Sequence, residues 1–167
     1  MVTTNGLADA VGVGESDLPG LLYGAVISAS VLAAASAHAE RYEYVALAAF
    51  AVVGVYWLAH VYIGLQTPGG EDSGAGILRR VASVARHESS VLKGGVPAVL
   101  VYLVGTLLGL GAATAAAVAV YFSVGLLICV GYVAAHLAGR TGLAAIVDAS
   151  VAGLFGVAVV VLKTFLH

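Results

Sequence analysis

Four ionisable side chains stand out because they lie within or beside long apolar stretches of the chain. They are His60, Glu88, His136 and Asp148. Charge in hydrocarbon costs free energy, so an ionisable residue in a spanning helix is by default a candidate for function. Imidazole and carboxylate groups together suit a divalent transition metal, and histidine, which titrates near neutral pH, equally suits a proton relay. The residue types therefore indicate a cation or proton pathway, and leave the metal, if any, unknown.

Each of these residues also has a structural interpretation. His60 stands close to Trp57 and Tyr62, a composition typical of the aromatic belt at a membrane surface. His136 can cap the end of its helix, and Asp148, which has no Lys or Arg on its own helix face, can hydrogen-bond a nearby hydroxyl or amide. Contact with a lipid or a partner is a third interpretation, and the three stay open at this point.

The composition excludes several classes of protein. The 167 residues are 61% apolar and 10% charged, with a mean hydropathy of +1.04. An average soluble domain is about 25% charged, and a disordered chain combines low hydrophobicity with high charge. The net charge of −2 offers no basic surplus for nucleic acid. The composition predicts an integral membrane protein.

Enzyme chemistry has little support in the sequence. The single cysteine, Cys129, cannot form an intramolecular disulfide or a paired-cysteine metal site. The zinc-protease, serine-hydrolase and phosphate-loop motifs are absent from the sequence. We therefore predict that the protein is not an enzyme and has no cofactor.

Five stretches are long and apolar enough to cross the bilayer, which takes about 20 residues. They cover residues 21–38, 44–65, 93–110, 113–137 and 143–165 approximately, after a flexible N-terminal tail at 1–20. The predicted fold is all-α: one polytopic membrane domain, 21–167, with five transmembrane helices and one cytoplasmic amphipathic helix in the linker 66–92.

The amphipathic helix follows a segment rich in Gly and Pro. Its apolar stripe is formed by Ile77, Val81, Val84, Glu88 and Val91, and we assign its basic, lipid-facing side to Arg79, Arg80, Arg86 and Lys93. A helix of this kind lies in the membrane interface. We expect it to contact anionic lipid.

Positive charge near the helix ends sets the orientation. Five basic residues, including Arg140, fall on the side of the amphipathic helix, and Arg41 and Lys163 fall on the other. This predicts a multi-pass protein of the inner or plasma membrane with a cytoplasmic N-terminus and His167 outside. A second cluster on the outer side, less suggestive because loop charges are usually solvated, comprises His38, Glu40, Glu43 and His167.

Small residues spaced four apart allow close helix approach and indicate a possible homodimer. They occur at Gly20 and Gly24, at Gly105 and Gly109, and at Ala152 and Gly156. Because the chain has 22 glycines, such spacings also arise by chance.

The layout resembles that of the vacuolar iron transporter family, which has five helices and a basic helical segment between the second and third. The segment 23–30 (YGAVISAS) resembles the start of that family's first helix, and 138–143 (AGRTGL) resembles its last turn. The first helix here has Gly24-Ala25 where the family has Asp-Gly, and the linker has few acidic residues. The resemblance therefore implies the layout and carries no metal ligand across. Segments 57–62 and 162–167 also resemble small uncharacterised membrane proteins.

The residue patterns favour the function of a transporter-like protein for a cation or proton. The alternative is a membrane scaffold or accessory subunit that transports nothing.

Overall fold

The computed structural model describes residues 17–36, 42–66 and 76–166. Within these ranges the regular structure is helical, in six helices that we number in chain order. They are α1 (Leu18–Ser36), α2 (Tyr42–Gln66), α3 (Ile77–His87), α4 (Ser90–Leu107), α5 (Ala112–Leu137) and α6 (Leu143–Leu166). All except α3 are long and apolar enough to cross a membrane. Within the described residues, the prediction of an all-α fold with five helices long and apolar enough to cross a membrane is confirmed.

Several residues with predicted roles lie outside the described ranges. They include most of the tail 1–20, most of the linker 66–76, and the outer-side residues His38, Glu40 and His167.

Helix α1 lies at the centre of the bundle. It packs against α2, α4, α5 and α6, whereas α3 contacts α2 at the edge. Its buried residues recur every three or four positions along the helix, as in Leu21, Ala25, Ala29 and Leu32. The core that they join is filled mainly by small side chains, and Tyr102 of α4 is the largest fully buried one described.

The closest approach is between α1 and α4, which run parallel. A Cβ atom on Gly24 would collide with the backbone carbonyl of Val91, and one on Gly94 would collide with the carbonyl of Leu21. Only glycine permits this backbone contact, as in other membrane-helix pairs. The predicted Gly20 and Gly24 face therefore packs within the chain.

The other two predicted small-residue pairs divide between packing and turns. A Cβ on Gly105 would lie 3.2 Å from Cβ of Ala115, but Gly109 forms a turn with φ of +89°. Gly156 lies against Val124, and Ala152 lies against Gly131. Gly105, Ala152 and Gly156 thus each pack against a neighbouring helix of this chain.

The bundle contains an internal repeat with an offset of 70 residues. The buried residues of α2 are Val45, Ala46, Ala49, Val53 and Val61, and their counterparts 70 positions on, in α5, are all buried. The two glycine contacts follow the same offset. Gly24 contacts Val91, and the residues 70 positions away from these two, Gly94 and Leu21, also contact each other. Exchanging α1 with α4 and α2 with α5 preserves the main helix contacts among these four. The two hairpins therefore pack in a similar way.

The predicted boundaries differ around the amphipathic segment. Helix α3 ends at His87, and after Glu88 and Ser89 a new helix, α4, begins at Ser90. Lys93 therefore lies in the first turn of α4 and not on α3. Pro97 is in the interior of α4 and not in its first turn, the position where proline is best tolerated.

Candidate functional site

All four predicted pathway residues lie at one end of the bundle, which we call the α3 end. It is formed by the starts of α1, α4 and α6 and by the ends of α2 and α5. Contacts between these termini establish the arrangement: Gly20 of α1 lies against Ser90 of α4, and Tyr23 of α1 lies against His60 of α2.

His60 belongs to a cluster of three rings. Its imidazole centroid lies 4.5 Å from that of Tyr56 and 6.5 Å from that of Tyr23. Its Nδ1 lies 3.1 Å from the backbone carbonyl of Tyr56, one helical turn earlier. The histidine is half-buried, so this contact orients the ring and leaves Nε2 as its remaining polar atom.

His136 repeats the same arrangement on α5. Its ring centroid lies 4.2 Å from that of Tyr132, and its Nδ1 lies 3.1 Å from the Tyr132 carbonyl. Both pairs have the spacing Tyr-x-x-x-His near the end of a helix. Residues four apart face each other on a helix, so this repeated spacing is a signal that the sequence reasoning missed.

Asp148 is paired with Arg140. Nη1 of Arg140 donates to both carboxylate oxygens of Asp148, each at 2.8 Å. Helix α5 ends at Leu137, the following Gly139 has a φ of +74°, and the Arg140 amide donates back to the Ala135 carbonyl at 2.9 Å. Glycine favours this left-handed conformation at a helix end. The turn therefore brings Arg140 next to a carboxylate eight residues later.

Glu88 lies apart from these groups. It follows the last residue of α3, where a Cβ on Gly64 would lie 3.8 Å from its Oε1. Among the described residues, no group of three or more His, Cys, Asp or Glu side chains could hold a metal ion. The four predicted residues thus share an end of the bundle, but the structure does not bring them into one cluster.

A groove of about 780 Å³ opens between α1 and α6 at the α3 end. The floor of the groove is lined by small side chains, because α5 presents only glycine and alanine there. Its rims are bulkier: Leu22, Tyr23 and Val26 come from α1, and Val151 and Phe155 come from α6, with Arg140 and Asp148 at the end. Tyr23 also contacts His60, so this rim residue belongs to both the groove and the three-ring cluster.

The basic residues assigned to the lipid-facing helix have different surroundings. Arg80 donates to the Leu65 carbonyl at 3.0 Å and so caps the end of α2. Arg79 and Arg86 are exposed. The ammonium of Lys93 lies 4.0 Å from Asp17 at the start of α1. Of the four, two thus help to join elements of the bundle.

Helix α3 itself buries none of its residues. It is attached to α2 by a bond from Trp57 Nε1 to the Ala85 carbonyl at 3.4 Å and by the contact of Val84 with Gly64. Ile77 and Leu78 are 78% and 83% exposed. These two apolar residues at the start of α3 are therefore left uncovered by the rest of the described chain.

Compared with protein-family models, with curated proteins and with solved structures, the chain matches none of them. The resemblance to the vacuolar iron transporter family thus stays a prediction.

Proposed function

We propose that the protein is a non-transporting scaffold or accessory subunit of a membrane. The observation that carries this proposal is the composition of the bundle interior. In the described part of the chain, the buried polar side chains besides Tyr102 are four serines. Ser28, Ser36 and Ser123 each donate to a carbonyl of their own helix, at 3.2, 3.3 and 2.9 Å.

Such an interior is poorly suited to conducting a cation. A hard cation needs several oxygen ligands to replace its water, and a proton relay through the membrane needs ionisable or hydrogen-bonded groups in series. The described interior instead consists largely of alanine, valine and leucine. The two ion pairs described, Arg140 with Asp148 and Lys93 with Asp17, both lie at the α3 end of the bundle.

The outer surface of α2 supports a role in contacting a partner. Its spanning segment is 22% buried, a smaller share than in the other four spans. Large apolar side chains such as Leu47, Val55 and Ile63 are exposed along it. A partner helix or a second copy of the chain in a homodimer would cover this surface.

Flux measurements test the proposal. Purified protein is reconstituted into sealed vesicles, and proton and divalent-cation movement are recorded with internal dyes, using protein-free vesicles as the baseline and an ionophore as the positive control. We expect no flux above baseline for the wild-type protein. Flux that is lost in Asp148→Asn, with the variant still folded, would contradict the scaffold role.

The second candidate function is movement of a cation or proton across the membrane. This function is favoured by one observation: Tyr23 joins the His60 ring cluster to the groove that contains Asp148. His60, Glu88, His136 and Asp148 would then supply the polar groups at one membrane surface, with the rest of the path in a conformation that opens the core.

The orientation that we propose for the protein in the membrane follows from the distribution of its basic residues. We place the α3 end on the cytoplasmic side of the inner or plasma membrane, because the basic residues concentrate there. Helix α3 would lie in that interface, with Ile77 and Leu78 in the lipid and Arg79 and Arg86 near anionic headgroups. Each basic residue near such a surface contributes about 1 kcal/mol to binding.

A further inference from the structure

The groove between α1 and α6 has apolar walls and an ion pair at its end. Val151 and Phe155 on one wall are 49% and 61% exposed, although they lie well inside a spanning helix. In a bilayer, this opening faces acyl chains and not water. The Arg140–Asp148 pair lies at the mouth of the groove, where headgroups begin.

Arg140 retains hydrogen-bonding capacity. A guanidinium has five N–H donors, and the Asp148 carboxylate is bonded through Nη1 alone. Nη2 and Nε make no hydrogen bond with any described residue, and the side chain is 57% exposed. Two adjacent guanidinium donors match two oxygens of a phosphate.

Asp148 determines which headgroup suits the site. It neutralises Arg140, so the site has no net charge to favour an anionic lipid. Its side chain is 31% exposed, and a carboxylate has about four lone-pair positions, of which Arg140 occupies two. An ammonium group can donate to the others, and the Tyr23 ring on the rim offers a further contact for a cation.

We propose that this groove binds one zwitterionic phospholipid of the surrounding bilayer. The phosphate contacts Arg140, the ammonium contacts Asp148, and one acyl chain lies between Val26 of α1 and Phe155 of α6. The paired opposite charges of the headgroup complement the paired opposite charges of the protein. This site does not depend on whether the protein transports anything.

Lipid retention measured by native mass spectrometry tests the site. The full chain is purified from membranes, exchanged into detergent with phosphatidylethanolamine or phosphatidylglycerol of the same acyl chains, and analysed for bound lipid. We expect the wild type to retain one phosphatidylethanolamine per chain. Arg140→Gln should reduce this occupancy at least tenfold, and Asp148→Asn should shift the preference to phosphatidylglycerol.

Two tryptophan variants separate a specific site from general lipid contact. Val151→Trp fills the groove one helical turn after Asp148, and Val157→Trp fills a second, apolar groove of about 480 Å³ between α5 and α6. We expect loss of lipid only from Val151→Trp, with both variants folded by circular dichroism. Equal retention in the wild type and Arg140→Gln, a wild-type preference for phosphatidylglycerol, or equal loss from both tryptophan variants would each overturn the proposal.

Discussion

At the scale of single residues, the Arg140–Asp148 pair joins the loop before α6 to that helix. Its atoms are 2.8 Å apart, but the two side chains are 57% and 31% exposed. Solvent screening reduces the energy of an exposed pair to about 0.2–1 kcal/mol. We therefore expect Arg140→Gln and Asp148→Asn each to lower the free energy of unfolding by about 0.5 kcal/mol, and the double variant to lower it no further than either single one.

Unfolding in mixed micelles, followed by circular dichroism, measures these differences, and Arg79→Gln, at an exposed position on α3, is the control. A loss of several kcal/mol, or strictly additive losses, would show that the two residues do not act as one exposed pair. Such a result would also mean that the pair mainly stabilises the fold and is not available to bind a lipid headgroup.

The sequence could not reveal this pair, because it depends on the geometry of a turn. Residues eight apart in a continuous helix would lie about 12 Å apart along the axis. Gly139 and Gly142, with φ of +74° and +62°, reverse the chain between them. The Tyr-x-x-x-His pairs were different: their spacing is local, so the sequence alone contains that signal.

At the scale of helices, the parallel contact of α1 with α4 depends on glycine. Gly24→Ala and Gly94→Ala would each force a Cβ into a backbone carbonyl of the facing helix, which cannot move as a side-chain tip can. Overpacking a well-filled interior costs about 1–3 kcal/mol. The 70-residue repeat makes the two contacts equivalent, so we expect both variants to lose similar stability.

Gly54→Ala and Gly125→Ala are matched controls, because a Cβ at either position meets nothing within 4 Å. Alanine favours a helix over glycine by up to about 1 kcal/mol, so these variants should be unchanged or slightly more stable in the same unfolding assay. Losses equal to those of Gly24→Ala would show that the α1–α4 contact is not special.

The helices themselves could be predicted well, since a run of about 20 apolar residues is a local property of the sequence. The break between α3 and α4 could not, because residues 77–92 continue a helical pattern through Glu88 and Ser89. The sequence also did not reveal which small residues face one another across the helix contacts. Gly20 and Gly24 were predicted, but their contacts with Ser90, Val91 and Gly95 of α4 become apparent only when the two helices lie side by side.

At the scale of the whole molecule, the orientation of the protein determines which leaflet of the bilayer supplies the lipid that binds in the groove. Arg79, Arg86 and Arg140 all lie at the α3 end, and basic residues near helix ends are retained on the cytoplasmic side. Cysteine labelling in intact cells tests this in a Cys129→Ala background. We expect Leu108→Cys, in the turn at the opposite end and 79% exposed, to react with a membrane-impermeant maleimide.

Ser83→Cys, on the exposed side of α3, should react only after the membrane is opened. The reverse pattern would place the Arg140–Asp148 pair at the outer surface, against the distribution of basic charge. With the expected pattern, the groove opens into the cytoplasmic leaflet. That leaflet is also where α3 would insert Ile77 and Leu78, so a lipid in the groove and the interfacial helix would anchor the same end of the bundle to the same layer.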